Sequence, residues 1–312
     1  MDKTDQLLLR ELMINSRIHI TQLAKKLKIS REVATYRLNR LKKESVILDF
    51  VTEIDYTKLG FVAAAVFINV KSTKQKEFKE FLSKTDFVSW VAELSGLWSF
   101  GLSIVGKTID EVNQHLLQIL NKFKEDIIDH RFTLHHKSTF FYEKYLDYVS
   151  QIKTKNRKVE YQVDHKDKII LHELSKNSRL DCVYLARKVK LTAPAVANRI
   201  RKLESSGYIS KYSIFVDISK LGLFQYSVFV TNKDVIDKEN FVNHLRQHKN
   251  ISFIAKYIGD QFIEFGIFVR DPYNLRERLQ EIEEKFPHNR VIEMSLFQKE
   301  FVSIGLPSCI FK

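Results

Sequence analysis

Apolar residues recur at Leu8, Leu9, Leu12 and Met13, then at Leu23, Ala24 and Leu27, then at Ala34, Leu38 and Leu41. Each group keeps the three-to-four-residue step of a helix buried along one side, so three short helices are predicted. The polar turn Lys28-Ile29-Ser30 separates the second from the third, and Ser30 is placed to accept from the first free amides of the third. Beyond Val46-Ile47 the pattern alternates as far as Asp55, which suits the two strands of a wing. A longer stretch then reads strand 61–70, helix 74–83, strand 88–94, strand 98–105, helix 109–123 and strand 128–141. The order βαββαβ predicts a four-stranded antiparallel sheet with two helices on one face, the ferredoxin-like arrangement. Such a sheet leaves its other face and its edges in need of cover.

All of this happens twice. Asp5, Leu9, Leu12, Asn15, Arg17, Leu23, Ala24, Arg37, Leu41, Ile47, Asp55 and Gly60 return 162 positions later as Asp167, Leu171, Leu174, Asn177, Arg179, Leu185, Ala186, Arg199, Leu203, Ile209, Asp217 and Gly222. The second copy replaces the Ser30 cap with Thr192 and adds Pro194 in the first turn, where its missing N–H costs no helical bond. A period of half the chain is too long for a solenoid, so the reading is a dimeric protomer written twice into one polypeptide. The expected architecture is α+β: a winged helix-turn-helix at 1–55, a ferredoxin-like domain at 56–145, a linker at 146–162, a second winged helix-turn-helix at 163–217 and a second ferredoxin-like domain at 218–312. The four are arranged as an intrachain pseudo-dimer.

Charge follows these boundaries. Of the net +13 on 312 residues, positions 1–50 carry 11 Lys/Arg against 6 Asp/Glu, and positions 163–212 carry 11 against 5. The linker holds Lys153, Lys155, Arg157 and Lys158, so the long segments are near neutral. Modules this basic point to a polyanion. With Ala34, Leu38 and Leu41 in the core, a step of about 100° per residue turns Glu32, Tyr36, Asn39 and Lys43 outward, flanked by Thr35 and Arg40. The second copy presents Pro194, Asn198, Arg201 and Ser205, with Ala197 and Lys202 beside them. These are groups suited to base edges and phosphates of double-stranded DNA, and Ser30, Arg31, Thr192 and Ala193 open the two helices. Arg37 and Arg199 lie between the two faces. A phosphate contact and an ion pair within the domain are both open for them.

In order and in duplicate, the opening Asp, the Asn-x-Arg, the Leu-Ala, the Ser/Thr cap, the Arg seven residues on and the Val/Tyr-Ile entering the wing resemble the Lrp/AsnC family of transcriptional regulators. The βαββαβ segments are similar to that family's effector-binding and dimerisation (RAM) half. The resemblance implies sequence-specific DNA binding by a dimer, with higher homo-oligomers common, and a small-molecule effector, an amino acid, near a Gly-x-x-Asp hairpin. The glycines match as Gly96 and Gly259, but Ser99 and Phe262 stand at the Asp positions, which weakens that expectation. Gly96, Trp98, Gly259 and Asp260 are the candidate effector residues, against a plain hairpin turn for the glycines and a core role for Trp90 and Trp98.

An enzymatic alternative is a siroheme decarboxylase of haem biosynthesis, which shares the two-part architecture and whose resemblance implies His and Arg around the same hairpin. Val91–Trp98 and Tyr257–Phe262 contain neither. His130, His135 and His136 form no metal set, because adjacent strand positions point to opposite faces. Cys182 and Cys309 support no disulfide framework. No catalytic residue, cofactor, metal or membrane partner is expected, and a cytoplasmic location follows from the absence of a long apolar run or an apolar N-terminal segment.

Overall fold

The computed structural model describes residues 1–146, 160–231, 235–259, 262–302 and 306–311. Most of the expected 146–162 linker, with its charged run, lies outside them. The first copy comprises α1 (Lys3–Ile14), α2 (Ile20–Leu27), α3 (Arg31–Lys43), β1 (Ile47–Ile54), β2 (Val62–Val70), α4 (Gln75–Lys84), β3 (Val88–Gly96), β4 (Phe100–Gly106), α5 (Ile109–Lys122) and β5 (Ile127–Phe140). The second comprises α6 (His165–Lys176), α7 (Cys182–Val189), α8 (Ala193–Ser205), β6 (Ile209–Val216), β7 (Phe224–Thr231), α9 (Val235–Gln247), β8 (Ile251–Tyr257), β9 (Phe262–Val269), α10 (Asn274–Lys285) and β10 (Arg290–Val302). Like elements from the two copies assemble together. Residues 1–61, 160–217 and 306–311 form one compact unit, and 62–146 with 218–302 form the other.

In the first unit, Asp2 caps α1 through a capping box with Asp5, and Asp164 caps α6 in the same way with Asp167. Lys28 and Lys190 adopt left-handed backbone (φ 55° and 53°), which ends α2 and α7 sharply enough for α3 and α8 to cross them. Leu8, Leu9, Leu12, Leu23, Ala34, Leu38 and Leu41 are buried, as are their counterparts in the second copy.

The expected two-strand wing within each copy is corrected. Each copy supplies one strand, and β1 pairs antiparallel with β6, Phe50 opposite Ile214 and Thr52 opposite Tyr212. The chain leaving β1 continues through a short 3-10 turn into β2 rather than doubling back, so the partner strand comes from the other copy. Ser16 and Ser178, a repeat apart, touch through their hydroxyls at 2.6 Å. Arg17 donates to the carbonyls of Ser178 (2.5 Å) and Leu180 (2.9 Å), and Arg179 donates to that of Ser16 (2.6 Å). Asn15 and Asn177 set up this exchange by accepting from the Arg17 and Arg179 amides. The Asn-x-Arg repeat therefore clamps copy to copy. A second difference concerns the C-terminus, expected in the second ferredoxin-like domain: Phe311 packs against His172 of α6, with ring centroids 4.6 Å apart.

In the second unit both ferredoxin-like sheets form, and they close on each other as one eight-stranded barrel of order β10-β3-β4-β2-β5-β8-β9-β7. The edges β3 and β5 of the first sheet pair with β10 and β8 of the second, so neither sheet keeps an open edge. Alternate residues point inward. Phe67, Leu94, Trp98, Phe229, Phe253 and Phe262 fill the interior, and Phe67 meets its counterpart Phe229 edge-on at 5.0 Å. The opposite faces pack beneath helices, as with Phe265 and Ile267 of β9 against Phe241, Leu275 and Ile282. Apolar residues on both sides explain why β9 is buried at every position.

Candidate nucleic-acid interface

The third helix of each head is built to show one face. Ser30 accepts from the Val33 amide at 3.2 Å and Thr192 from the Ala195 amide at 3.4 Å, so both caps form as expected. Ala34, Leu38 and Leu41 are buried on α3, and Val196, Ile200 and Leu203 on α8. On the other side of α3, Arg31, Glu32, Thr35, Asn39 and Lys43 are exposed, and Tyr36 is 66% exposed. On α8 the exposed set is Pro194, Asn198, Arg201, Lys202 and Ser205, beginning from Thr192, while Ala193 and Ala197 are half-buried. Glu32 is held ionised by its own backbone amide and by the Ser30 hydroxyl. Arg201 is tied only by a long bond from Nε to the Ala197 carbonyl, 3.4 Å, and Lys202 lies over the Tyr161 ring at 5.6 Å.

Three expected members of this face are engaged in ion pairs within their own heads. Arg37 pairs with Asp5 at 2.8 Å and Asp2 at 2.7 Å, and Arg40 with Asp5 at 2.5 Å. Arg199 pairs with Asp164 at 2.8 Å and Asp167 at 2.9 Å. Asp5 and Asp167 are buried, so each carboxylate needs those guanidinium groups where they are. Hydrogen bonds to these carboxylates, Asp5 and Asp167 foremost, raise the affinity of Arg37 and Arg199 for their protons. Lys42, which helical spacing alone did not single out, is exposed and lies over the Phe50 ring at 5.6 Å. Its side chain extends from α3 toward the shared ribbon.

The candidate effector residues have structural surroundings. Gly96 and Gly259 take positive φ (140° and 75°), and a Cβ on Gly96 would come within 2.9 Å of the Met294 carbonyl. Trp98 is buried beneath the Arg131 guanidinium at 5.3 Å. Ser99 donates to Asn69 at 2.7 Å and accepts from the Val70 amide, and Phe262 packs on Phe229 and Tyr257. Asp260 lies outside the described residues. Burial lowers the pKa of His135 to about 4 beside Tyr257. Among the described residues, no three His, Cys, Asp or Glu side chains gather as a metal set, and no helix is long and apolar enough to cross a membrane.

Known proteins match the two heads and the whole architecture differently. The AsnC-type helix-turn-helix domain matches residues 1–42, and the winged helix-turn-helix DNA-binding family matches residues 163–210. An uncharacterized HTH-type transcriptional regulator of Pyrococcus horikoshii, PH0045, is 34% identical over 149 residues, which span 46% of this chain and 96% of that protein. The chain belongs to the Lrp/AsnC family of transcriptional regulators. The HTH-type transcriptional regulator LrpC of Bacillus subtilis is 38% identical over 98 residues, 31% of this chain and 68% of LrpC. One copy here thus spans nearly the whole of PH0045, as a tandem duplication requires. At full length, the crystal structure of the siroheme decarboxylase NirDL superposes with a TM-score of 0.64 over 98% of this chain and 94% of that one. At 10% identity that likeness is one of fold alone.

Proposed function

We propose that a single chain is a complete two-headed operator reader: α3 and α8 enter major grooves of one duplex and read unlike half-sites of an imperfect palindrome. The observation that carries this reading is that both heads share one ribbon and one arginine clamp, yet present different side chains to solvent. Half-sites about one helical turn, or a multiple, apart suit such a pair. Asn39 fits adenine in a bidentate contact and Arg201 fits guanine, while Arg31, Lys42, Lys43 and Lys202 supply cations for phosphate. Arg37 and Arg40 brace α3 against α1 through Asp5, Arg199 braces α8 against α6 through Asp167, and the three are not counted as readers. The chain acts without catalysis.

Selection of bound DNA from a random pool, followed by footprinting, tests the reading. Arg201→Ala is expected to cost about 1–3 kcal/mol at one half-site and leave the other protected. Equal loss at both half-sites, or selection of a perfect palindrome, refutes it. Addition of siroheme with no absorbance change is the expected result of the complementary trial, and a decarboxylated product overturns the non-catalytic assignment.

A further inference from the structure

The barrel interior breaks the symmetry of the repeat at one charged position. Phe67 and Phe229 are counterparts in contact across the two copies. Phe67 stands opposite Arg131 on β5 and Gly101 on β4. Phe229 stands opposite Glu293 on β10 and Glu264 on β9. Arg131 is therefore the counterpart of Glu293, and Gly101 that of Glu264. The two unlike counterparts meet as an ion pair: Arg131 Nη1 lies 2.8 Å from Glu293 Oε2, with the Glu293 side chain 4% exposed and that of Arg131 30%. The guanidinium also lies over the rings of Trp98, Phe229 and Phe262 at 5.3–5.7 Å. Glu264, buried, accepts from Ser227 at 2.5 Å and from the Tyr257 hydroxyl.

We propose that Arg131 and Glu293 are a pairing code, by which the first ferredoxin-like half accepts the second half and rejects another copy of itself. A barrel of two first halves would enclose two guanidinium groups and no acid at these positions. One of two second halves would enclose two Glu293 carboxylates and no base, beside two proton-holding Glu264 side chains. In either case like charges share a low-dielectric interior, where an unpaired ion is heavily penalised. Only the mixed barrel brings a cation to an acid. The copies have thus diverged so that the unlike heads stay joined and the chain does not exchange halves as a homodimer does. This inference rests on the barrel alone and stands whether or not the heads bind DNA.

The test uses full-length chains. Glu293→Arg puts like charges in both halves, and so does Arg131→Glu. Each is expected to lower the melting temperature by about 10 °C. The double variant Arg131→Glu, Glu293→Arg restores an opposite pair and is expected to regain at least half of that loss. Refolded together at tens of micromolar, the two single variants are complementary in trans and should form a species of twice the 36.8 kDa chain mass in sedimentation, which neither forms alone. Single variants that melt like the parent overturn the proposal. So does a double variant as unstable as the singles, or a mixture that stays at the mass of one chain.

Discussion

Glu264 sits on a strand with no exposed residue, and burial pushes its carboxyl from an ordinary 4.5 up to about 7, against the opposing effect of Ser227 and Tyr257. An acid whose folded pKa is raised binds its proton more tightly in the folded chain. Its contribution to stability is therefore complete below about pH 4.5 and is lost as pH rises through about 7. Integrated between pH 5 and pH 8, that loss is about 2–3 kcal/mol. Glu264→Gln removes the titration but keeps an oxygen to accept from Tyr257 and an amide to donate to Ser227. Urea unfolding of both proteins at pH 5 and at pH 8 isolates the effect of Glu264 and its charge-coupled neighbour Glu293, because groups not coupled to them, including Glu300 at about 7 beside Trp90, are common to both and cancel in the difference. The variant is expected to gain about 2–3 kcal/mol on the parent between the two pH values. A difference that stays within about 0.5 kcal/mol across that range, or one of opposite sign, refutes the buried, proton-holding role of Glu264.

Three further outcomes are expected. Arg199→Ala strips Asp167 of its guanidinium and should cost about 2–3 kcal/mol in thermal unfolding, whereas Arg201→Ala should leave the melting temperature unchanged and weaken only DNA binding. Ser45 holds a left-handed backbone (φ 56°) where the second copy has Gly207 (φ 76°). Ser45→Gly should stabilise by about 0.5 kcal/mol and Gly207→Ser destabilise by about 1 kcal/mol, both read from denaturant midpoints. Phe229→Ala empties the centre of the barrel and should cost about 3–5 kcal/mol by the same measurement.

The sequence alone determined whatever depends on neighbours a few residues apart. Helical spacing at Leu8–Met13 and Ala34–Leu41, the Ser30 and Thr192 caps and the βαββαβ order all rest on local backbone and side-chain chemistry, and each was legible, as were the exposed faces of α3 and α8. Tertiary structure decided what needs a partner about 162 residues away. A strand pattern ending at Asp55 does not say whether its ladder closes within the copy or on β6, because either choice buries the same alternate residues. An arginine between two faces of a helix reaches a phosphate or a carboxylate equally well, and only the burial of Asp5 and Asp167 drew Arg37, Arg40 and Arg199 inward. Arg131 and Glu293 lie on two strands 162 residues apart, and no local pattern pairs them. Closure of the barrel brought them together, since desolvation leaves an inward-facing ion little alternative to an opposite charge.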